Sequence, residues 1–183
     1  MASGALSFFG WRAFILREVV DMLIRQANER DAVQLASLMI QITSESQFML
    51  YEHDEVPEPS LLAKRLSLSQ QYERLWIAEE TAVIIGYLGI SLGRMKRNCG
   101  VGTLAIGVTS NFSNKGVGSA LMTHSITEAK LMNLYRLQLY VQTINLKAIH
   151  LYQKFAFNIE GTIRGAAKID GCLVDKYLMA KLL

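Results

Sequence analysis

The chain has 183 residues, of which 51% are hydrophobic by an inclusive count and 19% charged; it can bury one full core, and disorder is excluded as its main state. A net charge of +3 and a pI near 8.9 are too mild for a nucleic-acid footprint, yet would not repel an anionic ligand. Cys99 and Cys172 lie far apart, with no CxxC and no adjacent His or Lys, which argues for small structural thiols in a reducing, cytoplasmic setting rather than a disulfide framework or a nucleophile.

Residues 1–21 are set apart as an N-terminal extension. Phe8, Phe9, Trp11, Phe14, Ile15 and Leu16 make it apolar, but Arg12 and Arg17 interrupt the run. It lacks a basic start and a small-residue cleavage site, and it is too short and too charged to span a membrane. A short amphipathic helix fits this composition, as does an extension ahead of a natural start at Met22. From there, residues 22–183 form one domain.

A strand is expected at Leu23-Ile24-Arg25-Gln26-Ala27, then capping residues and early acidic charge from Asn28 to Asp31. Val33, Leu35, Ala36, Leu38, Met39 and Ile42 supply the apolar stripe of the following helix. Residues 44–60 are polar, with Pro57 and Pro59, and read as a mobile connection to a second helix at 61–68. The period then changes. Residues 75–78 and 83–92 are strand-like, and Arg94 to Asn98 form a basic, solvated hairpin tip before a strand at 101–108. A helix at 116–131, with Val117, Ala120, Leu121 and Ile126 inward, leads to a strand at 136–141 and a helix at 145–155. Two strands, 157–164 and 173–182, join near Asp170-Gly171. The order β-α-α-β-β-β-α-β-α-β-β, with tight early turns, predicts an α+β fold on a mixed sheet.

The chemistry concentrates at the end of the 101–108 strand. A polar turn, Ser113-Asn114-Lys115, opens a helix at Gly116-Val117-Gly118-Ser119. Glycines there let the backbone approach a ligand closely, and free amides at the positive end of the helix dipole favour phosphate. Lys115 adds a formal charge. Two nucleotide readings fail. Gly100-Val101-Gly102-Thr103-Leu104-Ala105 matches G-x-G-x-x-A but precedes a strand, whereas a dinucleotide fingerprint follows one. In the Gly116 loop the lysine precedes the glycines, so it is not a nucleotide P-loop either.

A second signal is the helix Asn145-Leu146-Lys147-Ala148-Ile149-His150-Leu151-Tyr152. Asn145 suits an N-cap, and Ala148, Ile149 and Tyr152 share one face. Tyr152 beside the phosphate-binding helix could hold its hydroxyl near a thioester sulfur. Out of context it reads first as a half-buried aromatic with a satisfied hydroxyl.

On these motifs the chain resembles the GCN5-related N-acetyltransferase (GNAT) superfamily from about Leu23 to its C-terminus. The tail Glu160-Gly161-Thr162-Ile163-Arg164, with Asp170-Gly171, Asp175 and Met179, is similar to the branch acting on amino acids, small amines or ribosomal-protein N-termini. The resemblance implies a GNAT fold, a mostly antiparallel sheet of six to seven strands with about four helices. It also implies direct acetyl transfer from acetyl-coenzyme A to a primary amine, with no metal. By the same resemblance Tyr152 protonates the departing thiolate, and Ile106 and Val108 bond the pantetheine arm through their backbone. The amides of Ser113, Asn114, Lys115, Gly116, Val117 and Gly118, with Ser119 and Asn145, complete the cofactor set. Backbone N–H near Val108 would stabilise the oxyanion. The attacking amine needs a base; Glu45, Glu52 and His53 are considered and none is assigned. A small-molecule amine or a peptide N-terminus is the expected partner, without nucleic acid or membrane, and a homodimer is compatible with the family.

Three positions depart from the family pattern. Ser113 stands where Arg or Gln is usual, which removes a charge-assisted contact worth about 1.5–3 kcal/mol where it forms. Asn114 and Ala156 replace glycines, and Ala156 is awkward if its φ is positive. These departures support an alternative, a non-catalytic acyl-coenzyme A binding or sensing module on the same fold.

Overall fold

The computed structural model describes residues 22–49, 51–68 and 72–183; the extension expected at 1–21 lies outside them. Strand β1 (Met22–Gln26) leads into a capping box, in which Asn28 Oδ1 accepts the Arg30 amide and Asp31 Oδ2 accepts the Asn28 amide. Those two bonds satisfy donors that a helix start leaves open, and helix α1 (Ala32–Glu45) follows. After α2 (Pro59–Leu68) come β2 (Glu73–Glu80), β3 (Val83–Leu92) and β4 (Val101–Val108). The chain closes with α3 (Val117–Leu131), β5 (Arg136–Gln142), α4 (Leu146–Lys154), β6 (Asn158–Ile169) and β7 (Cys172–Leu182).

The strands form one sheet in the order β1-β2-β3-β4-β5-β7-β6. Every neighbouring pair is antiparallel except β4 and β5. The expected α+β architecture and mixed sheet are therefore found, with β6 longer than expected because its far end pairs with β7 from Ala167 to Ile169.

Alternation along the strands separates two apolar layers. Trp76, Ala78, Leu88 and Ile90 face α3 and α4, while Ile77 and Tyr87 face α1 and α2. Register passes from Ala78↔Gly86 to Glu79↔Ile84, so Ile85 is an extra residue. This bulge reverses the alternation: Ile85 joins the α3–α4 layer and Ile84 the α1–α2 layer.

Three expectations change. Val33 is 65% exposed, because two residues of helix turn it away from the Leu35 face. Cys99 and Cys172 are free, as expected, but exposed rather than packed in the core. The segment after α1 is anchored rather than a loose connection, since Met49, Tyr51 and Val56 pack against the α1–α2 layer. Among the described residues, no helix is long and apolar enough to cross a membrane.

Candidate active site

Parallel pairing of β4 with β5 runs only from Val101↔Arg136 to Thr103↔Gln138, while on its other edge β5 stays paired with β7 from Arg136 to Gln142. β4 and β5 part, and a cavity of about 1120 Å³ opens at the gap. On the other edge of β4, the Thr109 amide bonds the Ile85 carbonyl at 3.2 Å. In an antiparallel pair such bonds fall on alternate residues, so the backbone groups of Ile106 and Val108 point away from β3 and into the gap.

One end of the cavity is the Gly116 turn. Gly116 has φ +91° and caps α3, and a Cβ built there meets nothing within 4 Å. The first intrahelical bond runs from the Ala120 amide to the Gly116 carbonyl at 2.9 Å. The amides of 116–119 before it are left open at a cavity lined by Ser113, Asn114, Gly116, Gly118 and Ser119. The amides expected at Ser113 and Lys115 are instead taken by the Ser110 and Phe112 carbonyls, at 3.0 and 3.4 Å. Asn114 takes φ +63°, a left-handed geometry that Asn tolerates. At Gly118 a side chain would press on Leu151 Cδ2 at 3.3 Å, so glycine permits the close approach of α3 and α4. Not every predicted residue reaches the cavity: the Val117 side chain is buried in the core, and the Lys115 ammonium lies 5.0 Å above the Phe112 ring.

Helix α4 forms the adjoining wall. Asn145 Oδ1 accepts the Ala148 amide at 3.1 Å, the N-cap expected from sequence, and Ala148, Leu151 and Tyr152 line the cavity behind it. Tyr152 is 7% exposed, and burial pushes its phenol up to about 12. Lys147 also lines the cavity and donates to the Ser113 hydroxyl, so a cation from α4 stands beside the position where the loop lacks one. Spacing alone gave no sign of this contact.

The opposite end lies between α1, α2 and the sheet. Leu35, Met39, Ile42, Leu62 and Leu66 supply apolar surface there. Arg65 and Glu73 form a two-pronged pair, Nε–Oε2 at 2.8 Å and Nη2–Oε1 at 2.6 Å. Of the base candidates, Glu45 reaches the cavity while Glu52 and His53 do not line it. Glu45 is occupied: Oε2 accepts the Ser110 amide at 2.8 Å and Oε1 accepts Gln41 Nε2 at 2.7 Å. The Ser110 amide, followed by Gln41, holds the Glu45 carboxyl below its ordinary range. That geometry makes it an anchor for the loop after β4. Among the described residues no cluster of three His, Cys, Asp or Glu side chains is arranged to hold a metal ion.

The Acetyltransferase (GNAT) family model matches residues 36–157 of this chain. An L-amino acid N-acetyltransferase from Escherichia coli (strain K12) is 34% identical over 131 residues, which are 70% of this chain and 80% of that protein. A GNAT-family acetyltransferase from Streptococcus pneumoniae has a crystal structure with a TM-score of 0.85 and 32% identity, covering 89% of this chain and 99% of that one. A Salmonella typhimurium protein, yncA, solved with its cofactor acetyl-CoA, shares the fold at a TM-score of 0.78 and 18% identity, over 88% of this chain and 94% of that one.

Proposed function

The chain belongs to the acetyltransferase (GNAT) family and is an N-acetyltransferase, and on that premise we propose that it moves the acetyl group of acetyl-coenzyme A directly to the primary amine of a free amino acid. The observation that carries the reading is the continuous cavity. It joins open amides at Gly116, backbone groups at Ile106 and Val108, the Tyr152 phenol and an apolar end beside Arg65. The Gly116 cradle, which a Cβ would enter unopposed, fits a pyrophosphate, and when bound the coenzyme supplies an activated thioester.

The amides of 116–119 hold the diphosphate through the helix dipole and their own N–H groups. Lys147 contributes the charge that Ser113 lacks. Ile106 and Val108 pair with the pantetheine amides, which aligns the acetyl group in the gap between β4 and β5. Tyr152, protonated at physiological pH, donates to the leaving sulfur. Two features support the acceptor class: the E. coli relative's activity on L-amino acids and the apolar end of the cavity. Calorimetry with acetyl-coenzyme A, paired with a thiol-release assay over the twenty L-amino acids, tests the reading. Tight binding with turnover on a subset supports it; binding without turnover on any amine returns the sensing module.

A further inference from the structure

Gln142 closes β5, is 4% exposed and lines the cavity. Its Nε2 donates to the main-chain carbonyl of Gln47 at 3.0 Å, in the segment that follows α1. That bond fixes the amide orientation, because the reverse would set two carbonyl oxygens against each other. Its Oε1 is buried and, among the described residues, meets no donor. A buried lone-pair acceptor left unmatched is costly, and such a group calls for a partner. The strand alternation says from which side. Leu139 and Val141 belong to the α3–α4 layer, so Tyr140 and Gln142 face the α1–α2 side, the end of the cavity away from the Gly116 turn.

Resting on the N-acetyltransferase reading above, we infer that Gln142 Oε1 accepts a hydrogen bond from the N–H of the acceptor amine and so selects and orients it. A carboxamide suits this place better than a carboxylate. An anion there would stabilise the ammonium form, which has no lone pair for attack, whereas a neutral oxygen holds the amine without charging it. The Gln47 contact couples this oxygen to the segment that walls the acceptor end.

The test uses the full chain, with wild type, Gln142→Met and Gln142→Glu assayed on the twenty L-amino acids and an N-terminal alanine tripeptide. For Gln142→Met the KM of the best acceptor rises about tenfold while that of acetyl-coenzyme A holds. For Gln142→Glu the rising limb of kcat against pH, which reports the bound amine, moves to higher pH, a shift that mere loss of the Gln47 tether would not produce. An unchanged acceptor KM in Gln142→Met overturns the inference. So does a rise confined to acetyl-coenzyme A, which would give the oxygen to the cofactor. Should Gln142→Met fail to fold, an unmoved pH limb in Gln142→Glu overturns it alone. A wild type inactive on every amine overturns the parent reading as well, a failure visible without any variant.

Discussion

The backbone carbonyl of Tyr152 accepts the Phe157 amide at 3.0 Å, and the two rings lie 6.2 Å apart, tilted by 54°. With the Ala156 amide bonded to the Gln153 carbonyl at 2.9 Å, these contacts make a Schellman close to α4. Phe157 is 1% exposed, so the helix end is nailed into the core beside the residue proposed as general acid. The same motif forces Ala156 to φ +61°.

Replacing Tyr152 by Phe keeps the ring and its packing against Phe157. The expected outcome is a kcat lowered about a hundredfold or more, with acetyl-coenzyme A affinity nearly intact. Steady-state kinetics and calorimetry check the pair of effects, and a variant as fast as wild type removes Tyr152 from the acid role.

Tyr152 titrates at about 12 because its burial penalises the phenolate. An acid serves only below its pKa, so it remains competent across the ordinary assay range. The profile of kcat/KM should rise as the acceptor amine loses its proton and then stay level to about pH 10.5. A falling limb near pH 8–9 in wild type, absent in Tyr152→Phe, would contradict the raised pKa while keeping Tyr152 as the acid.

At Ala156 a Cβ in the left-handed region costs roughly 1–2 kcal/mol, partly offset by the greater unfolded-state freedom of glycine. Ala156→Gly should therefore stabilise the protein by about 0.5–1 kcal/mol, seen as a Tm increase of about 1–4 °C. Calorimetric melting checks this, and activity should be unchanged.

Asp31 is 8% exposed and accepts both Nη1 and Nη2 of Arg25, each at 2.8 Å. The Arg25 hydrogen bond, opposed by burial, holds its carboxyl below 3.8. A depressed folded pKa gives stability that is complete above the unfolded value and lost as pH falls through the folded one. Asp31→Asn should cost about 1–3 kcal/mol at pH 7, with the gap to wild type closing below about pH 4. Urea melts at pH 7 and pH 3 measure both ends.

Lys147→Ala removes the cation beside Ser113. Acetyl-coenzyme A should bind about three- to tenfold more weakly at low salt, with a smaller loss at 0.5 M salt. An affinity loss indifferent to salt would assign Lys147 a packing role.

The order of elements was legible in the sequence because its signals are local. Asn28 and Asp31 announce α1, the glycines at 116 and 118 announce α3, and Asn145 announces α4, each through neighbours within four residues. The loop, the Tyr152 helix and their likeness to one superfamily rest on the same short spacings. Val33 misled because an apolar residue near a stripe looks like part of it until a partner surface defines which face is buried.

Other features belong to tertiary structure alone. Where β4 leaves β5 after Thr103 is a matter of long-range register: β5 stays paired with β7 on its other edge along its whole length, between residues about forty positions apart, while its β4 edge opens. The reach of Lys147 to Ser113 and the unmatched oxygen of Gln142 follow from that parting. Sequence determined which residues could do the chemistry, since residue type and local spacing set helix starts, caps and strand faces. Only long-range strand register decided which of them share a cavity, because it alone fixes where a sheet opens.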